Sequence, residues 1–167
     1  TQSTRTKTTC PSDQREPKTI EPLNGLVDFN WHQSIRKTLK ASRRPLLIVG
    51  EPGHGKSTLA AEICIETTGQ LPVTINCTQE TSESHIYGMR SLDSSGVSFV
   101  DGPLPTALKS GRWLIVEEVD KLPPAMLAHF LQLRLDPFQR QLIQNLASGE
   151  MIPVPGGWQA IFTANPR

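Results

Sequence analysis

The chain has 167 residues, enough for one domain with a buried core. Seventeen Lys and Arg stand against sixteen Asp and Glu, which excludes a globally basic nucleic-acid binder and an acidic tail protein. Three cysteines with no CxxC exclude a disulfide framework and a cysteine-rich zinc module, and they suit a reducing, cytoplasmic setting.

Residues 1–24 are rich in Thr, Ser, Lys, Arg and Pro, with almost no large apolar side chain. Such a segment cannot offset its ordering entropy and is predicted to be a disordered basic tail. Residues 1–44 carry nine Lys/Arg and four Asp/Glu, a net of +5, and residues 45–167 carry eight and twelve, a net of −4. A solvated tail or linker is its expected role, with contact to nucleic acid or an acidic partner as the secondary one. Thr1–Cys10 has no apolar core, so it does not read as a signal peptide. The longest apolar runs are far too short to span a membrane, and no membrane partner is expected. The start without Met and the stop just after an apolar run point to an excerpt of a longer protein.

Folded structure is predicted over residues 25–167. Phe29, Trp31, Ile35 and Leu39 recur at helical spacing, which predicts an amphipathic helix to about Ala41. Leu46–Val49 is a solid apolar run, the pattern of a strand buried on both faces of a parallel sheet. Gly50–Gly55 is a glycine-rich turn, and Lys56–Thr68 is a helix ended by Gly69. Val73–Cys77 is a second strand. Residues 78–101 read as a weak helix and an irregular excursion with a small hairpin around Val97–Val100. A short helix over Pro105–Ser110, a third strand over Arg112–Glu117 and a helix over Pro124–Leu135 follow. Residues 138–157 are looser, with a helical turn and a hairpin through Met151–Val154, and Gln159–Ala164 is a fourth strand. Strands alternating with helices predict an α/β layered fold with a parallel sheet.

Three patterns carry chemistry. Gly50-Glu51-Pro52-Gly53-His54-Gly55-Lys56-Ser57 fits GxxxxGK[ST] without a mismatch, between a buried strand and a helix. The glycines let backbone N–H groups turn inward around phosphate, and the helix start at Lys56, Ser57 and Thr58 favours an anion. Lys56 is expected to bridge the β- and γ-phosphates, and the Ser57 hydroxyl to ligate Mg²⁺. His54 holds a variable position and is expected to face solvent. Second, the third strand ends in Glu117-Glu118, 60 residues beyond Ser57. Side chains alternate along a strand, so Glu117 is assigned to the metal and Glu118 to the attacking water. Asp120 is expected to cap the next turn or to serve an intersubunit contact. Third, the fourth strand ends in Asn165, whose amide is placed to meet the γ-phosphate and orient the water.

His32, His85 and His129 lack metal-ligand spacing and read as satisfied or solvated. Trp113 and Trp158 lie at strand starts and read as core or interface. An aromatic content of 5% without basic-aromatic interleaving argues against a single-strand binding surface.

The three motifs in this order make residues 26–167 resemble an AAA+ ATPase of the dynein-related branch, which includes MoxR-type ATPases and midasin. Asn76-Cys77-Thr78, Asp101-Gly102-Pro103-Leu104, Trp113–Lys121 and Phe162–Pro166 share in the resemblance. It implies ATP with Mg²⁺ as ligands, Walker A and Walker B motifs, and a P-loop three-layer sandwich with sheet order 5-1-4-3-2. It also implies a ring of like or related copies that remodels a protein client. Gly96–Gly102 then resembles the branch's insertion in its second helix, and Gly25-Leu26-Val27 the segment that meets adenine. The branch usually has Asp-Glu where this chain has Glu117-Glu118; the extra methylene should still reach a metal-bound water. About four of five core strands are expected here, without the arginine finger or the helical lid, and an exposed apolar edge on the first strand. The resemblance therefore implies an ATPase motor module. The alternatives are a nucleotide-binding scaffold with little turnover and a nucleic-acid-acting ATPase.

Overall fold

The computed structural model describes residues 30–41, 44–94, 96–131, 133 and 141–166. The basic tail, the Gly25-Leu26-Val27 segment and Asp136-Pro137 lie outside the described residues.

In chain order the elements are α1 (Asn30–Ala41), β1 (Leu46–Val49), α2 (Lys56–Thr68), β2 (Val73–Asn76), α3 (Glu83–Tyr87), β3 (Gly88–Asp93) and β4 (Gly96–Asp101). Then come α4 (Pro103–Ser110), β5 (Leu114–Glu117), a 3-10 turn (Val119–Lys121), α5 (Pro124–Leu131), β6 (Leu142–Gln144), β7 (Met151–Pro153) and β8 (Ala160–Ala164). The main sheet is parallel and ordered β1-β8-β5-β2. That is the 1-4-3-2 part of the expected order.

Alternation along the central strands divides the core into two layers. Trp113 and Ile115 of the third-strand segment and Ile161 of β8 face Leu59, Ala60, Ile63 and Cys64 of α2, together with Ile48. Leu114, Val116 and Ala160 face the opposite layer, built from α3, α4 and the segment after β5. Each large aliphatic side chain so buried contributes about 1.5–3 kcal/mol relative to exposure. Trp113 and Trp158 are buried, and their indole N–H groups donate to backbone carbonyls, Trp113 to Gly157 at 3.0 Å and Trp158 to Arg112 at 2.7 Å.

β1 corrects its prediction. Its apolar run is buried on the α2 side only: Leu47 and Val49 are 54% and 56% exposed. A solid apolar run signals two-sided burial only when neighbouring strands and helices flank it on both sides, and among the described residues β1 is an edge strand. The central strands β5 and β8 do show two-sided burial.

The excursion after α3 is more regular than predicted. β3 and β4 pair residue for residue from Gly88–Asp101 to Asp93–Gly96. At its base, the backbone of Gly88 crosses that of Gly102. A methyl group on Gly102 would lie 2.5 Å from the Gly88 nitrogen, and one on Gly88 would lie 1.9 Å from the Val100 carbonyl oxygen. Only glycine permits this approach. Gly102→Ala is therefore expected to cost about 2–3 kcal/mol, as overpacking does, and to lower the midpoint of thermal unfolding by about 5–10 °C. Gly156→Ala, where the added methyl meets open space, should leave the midpoint unchanged in the same calorimetric comparison.

Asp101, at the end of β4, accepts from Lys109 Nζ at 2.7 Å and from the buried Asn145 Nδ2 at 3.1 Å, which joins both hairpins to α4. His129 is satisfied by Glu83 Oε1 at 3.3 Å and the Tyr87 hydroxyl at 3.4 Å. The second hairpin falls at β6 and β7, as predicted in outline. α4 begins two residues earlier than predicted, at Pro103, where the prolines occupy the first turn and need no amide acceptor. β5 begins at Leu114, because Arg112 turns outward to donate to the Leu71 and Pro72 carbonyls.

Candidate nucleotide-binding site

The register of the sheet brings the three sequence motifs to one edge. Val49 lies opposite Ala164, and Asn76 lies opposite Glu117. The Gly50 N–H donates to the Ala164 carbonyl at 3.2 Å, and the Cys77 N–H to the Glu117 carbonyl at 3.0 Å. All four strands therefore end together at their carboxyl ends, where open parallel sheets hold ligands.

The phosphate loop departs from β1 along this edge. Gly53 and Gly55 have φ of 81° and 71°, the left-handed conformation that turns successive N–H groups to one side. Nothing lies within 4 Å of a methyl placed on Gly53, so that part of the loop is open. Glu51, Pro52, Gly53 and His54 are exposed, as is Thr58 in the first turn of α2, while Gly50, Gly55, Lys56 and Ser57 are half-buried. The first N–H groups of α2 have no acceptor within the helix, an arrangement that favours an anion there. His54 is exposed as expected, with Nδ1 3.2 Å from the Glu51 carbonyl.

Lys56 is the junction of the site. Its ammonium donates to the Gly50 carbonyl at 2.6 Å, to the Glu51 carbonyl at 2.9 Å and to Asn165 Oδ1 at 2.9 Å. The structure thus unites the first and third motifs directly, across 109 positions of sequence.

The carboxylates are arranged differently from expectation. Glu117 ends β5 and is half-buried. Glu118 is already outside the strand: with φ 55° and ψ 44° it is left-handed, alone among the described non-glycine residues. The backbone therefore leaves the strand at Glu118, and strand alternation does not apply to it. Such a conformation costs about 1–3 kcal/mol and persists only where its surroundings over-determine it. The Glu118 carboxylate meets Lys121 Nζ at 2.6 Å. Asp120 lies in the 3-10 turn, and its Oδ1 accepts the Asn165 N–H at 3.0 Å. Sequence reasoning missed Thr163, whose buried hydroxyl accepts the Glu118 N–H at 3.2 Å. A hydroxyl inside the apolar run Ala160–Ala164 was the available signal.

The carboxylates leave a mark on Cys77. Its thiol is pushed up to about 12, first by burial and then by the charges of Glu117, Glu118 and Asp120. An unfolded thiol ionises near pH 9, so the folded state holds its proton longer, and stability from this group falls as pH rises from about 9 to 12. In a Cys10→Ser variant, the native protein is expected to take up no thiol reagent at pH 8, and to react at Cys64 and Cys77 once denatured. Uptake before unfolding would contradict the burial of both thiols.

Comparison with known proteins agrees with this geometry. Residues 45–167 match the family described as AAA domain, dynein-related subfamily. The chain belongs to this family. It is 31% identical over 136 residues to midasin of Giardia intestinalis, covering 80% of this chain and 3% of that protein. It is also 29% identical over 142 residues to an uncharacterized protein of Staphylococcus saprophyticus, covering 82% of this chain and 51% of that one. Among solved structures, NtrX from Brucella abortus aligns with a TM-score of 0.62 at 20% identity, covering 83% of this chain and 30% of NtrX. The same protein in complex with ADP aligns with a TM-score of 0.59 at 20% identity, over 85% of this chain and 31% of NtrX. The AAA chain thus spans about half of the staphylococcal relative and a small part of midasin. Its fold is the P-loop α/β fold of AAA ATPases, with four parallel strands in the main sheet among the described residues. No helix among the described residues is long and apolar enough to cross a membrane.

Proposed function

We propose that this AAA domain binds ATP with Mg²⁺ and hydrolyses it, as the motor module of a remodelling ATPase. The observation that carries the reading is the Lys56 ammonium, held between the phosphate loop and Asn165 at the carboxyl edge of the sheet. The ADP complex of the similarly folded NtrX supports a nucleotide as the ligand.

The residues fit the ligands. The loop offers the N–H groups of Gly53 and Gly55, and Lys56 offers the positive charge for the β- and γ-phosphates. Ser57 and Glu117 would hold Mg²⁺. No group of three His, Cys, Asp or Glu among the described residues could hold a metal by itself, which accords with an ion that keeps waters and binds largely through phosphate. When bound, Mg²⁺ supplies charge neutralisation at the phosphates. Glu118 accepts a proton from the water that attacks the γ-phosphorus. The bond from that phosphorus to the β–γ bridging oxygen then breaks, leaving ADP and phosphate. Asn165 orients the γ-phosphate and the water. The ring of copies or homologues, and the protein client it acts on, belong to the same proposal.

Titration with a fluorescent ATP analogue tests the reading. Binding should be saturable in the presence of Mg²⁺ and should weaken when EDTA removes the ion. No binding of ATP or ADP up to millimolar concentration would exclude it.

A further inference from the structure

Two hydrogen bonds link the strand ends that carry Glu118 and Asn165, and neither is a contact to a nucleotide. The Glu118 N–H donates to Thr163 Oγ1 at 3.2 Å, and the Asn165 N–H donates to Asp120 Oδ1 at 3.0 Å. They are reciprocal. The turn after β5 gives one backbone donor and one side-chain acceptor, and the end of β8 gives the same in return. The parallel pairing of β5 with β8 ends at Val116 and Phe162, so the link begins where the ladder stops. Thr163 is 1% exposed, which shields its bond from competing water. Glu118 is the strained residue at one end of the link, and Asn165, bonded to Lys56, is the polar amide at the other.

We infer that Thr163 and Asp120 are positioning residues: they clasp the two strand ends so that Asn165 and Glu118 meet the γ-phosphate together. The inference rests on the ATP reading above and deepens it. Its consequence concerns the third phosphate alone. The β-phosphate is served by the loop and the start of α2, to which neither bond of the clasp runs. A loosened clasp lets Asn165 drift from Lys56, so the gain in affinity from the γ-phosphate falls while ADP binding stays.

The test compares equilibrium binding of a fluorescent ADP and a non-hydrolysable ATP analogue, both with Mg²⁺, and needs no turnover. The full chain would carry Thr163→Val, Thr163→Ser, Asp120→Ala or Asp120→Asn. Valine and alanine remove the acceptor; serine and asparagine keep one. The wild type should favour the ATP analogue. The valine and alanine variants should lose about fivefold to tenfold of that preference, the worth of one or two hydrogen bonds, with ADP affinity unchanged. The serine and asparagine variants should restore it. Three results overturn the clasp: a wild type without the preference, an unaltered preference in the valine and alanine variants, or an equal loss of ADP and ATP affinity. A wild type that binds neither nucleotide overturns the ATP reading itself, and the two failures are thereby distinct.

Discussion

Replacing Lys56 by methionine is expected to weaken ATP binding by about 10²-fold or more while leaving the fold intact. An ammonium has three protons, and in this structure all three are engaged, by Gly50, Glu51 and Asn165. A bound nucleotide must take over part of that set. Each hydrogen bond from a charged donor is worth about 1.5–3 kcal/mol, so two of them account for the predicted loss. Methionine follows the path of the lysine stem, with its sulfur in place of the Lys56 Cδ that lies beside Gly50. Calorimetric titration with ATP and Mg²⁺ measures the loss, and a retained cooperative unfolding transition shows that the fold survives. An unchanged affinity would mean that Lys56 is a structural tie between the loop and Asn165 and that phosphate binds elsewhere.

The second large effect is expected at Glu118. Glu118→Gln should lower phosphate release by about 10²–10⁴-fold, the range for loss of a general base, while ATP binding is retained. Glutamine matches glutamate in shape, and the bond from the residue-118 N–H to Thr163 is a backbone bond that the variant keeps. It cannot accept the proton of the attacking water. Glu117→Gln gives the contrast: it should reduce the dependence of binding on Mg²⁺, because its carboxylate ends the strand and is the proposed metal ligand. Phosphate release at saturating ATP, measured on both variants beside the wild type, separates the roles. Equal release from the wild type and Glu118→Gln would remove Glu118 from the chemistry and favour a nucleotide-binding scaffold.

Much of this was legible in the sequence, for reasons that differ from element to element. The phosphate loop was legible because its requirements are local: small residues where the chain must turn left-handed, and a lysine and serine at the helix start. β5 and β8 were legible because central parallel strands are buried on both sides, and their solid apolar runs say so. The same pattern misled at β1, because burial of its second face depends on neighbours that the run does not encode. The β3–β4 hairpin was only half seen. Its strands expose apolar residues such as Leu92, 82% exposed, and Val97, 60% exposed, so no two-sided or alternating pattern marked its length.

The amino-acid sequence by itself determined the class of the fold and the glycine-rich loop between β1 and α2, and it named Lys56, Ser57, Glu117, Glu118 and Asn165 as the candidate polar set. These follow from short-range chemistry and from hydrophobic periodicity, which survive in a linear reading. The tertiary structure alone decided how that set is held. Sheet register brings Asn165 to Lys56; the chain turns left-handed at Glu118 as it leaves β5; Thr163 and Asp120 tie the two strand ends together. Each of these depends on which strand lies beside which, and contacts between residues 45 positions apart have no signature in the order of the chain.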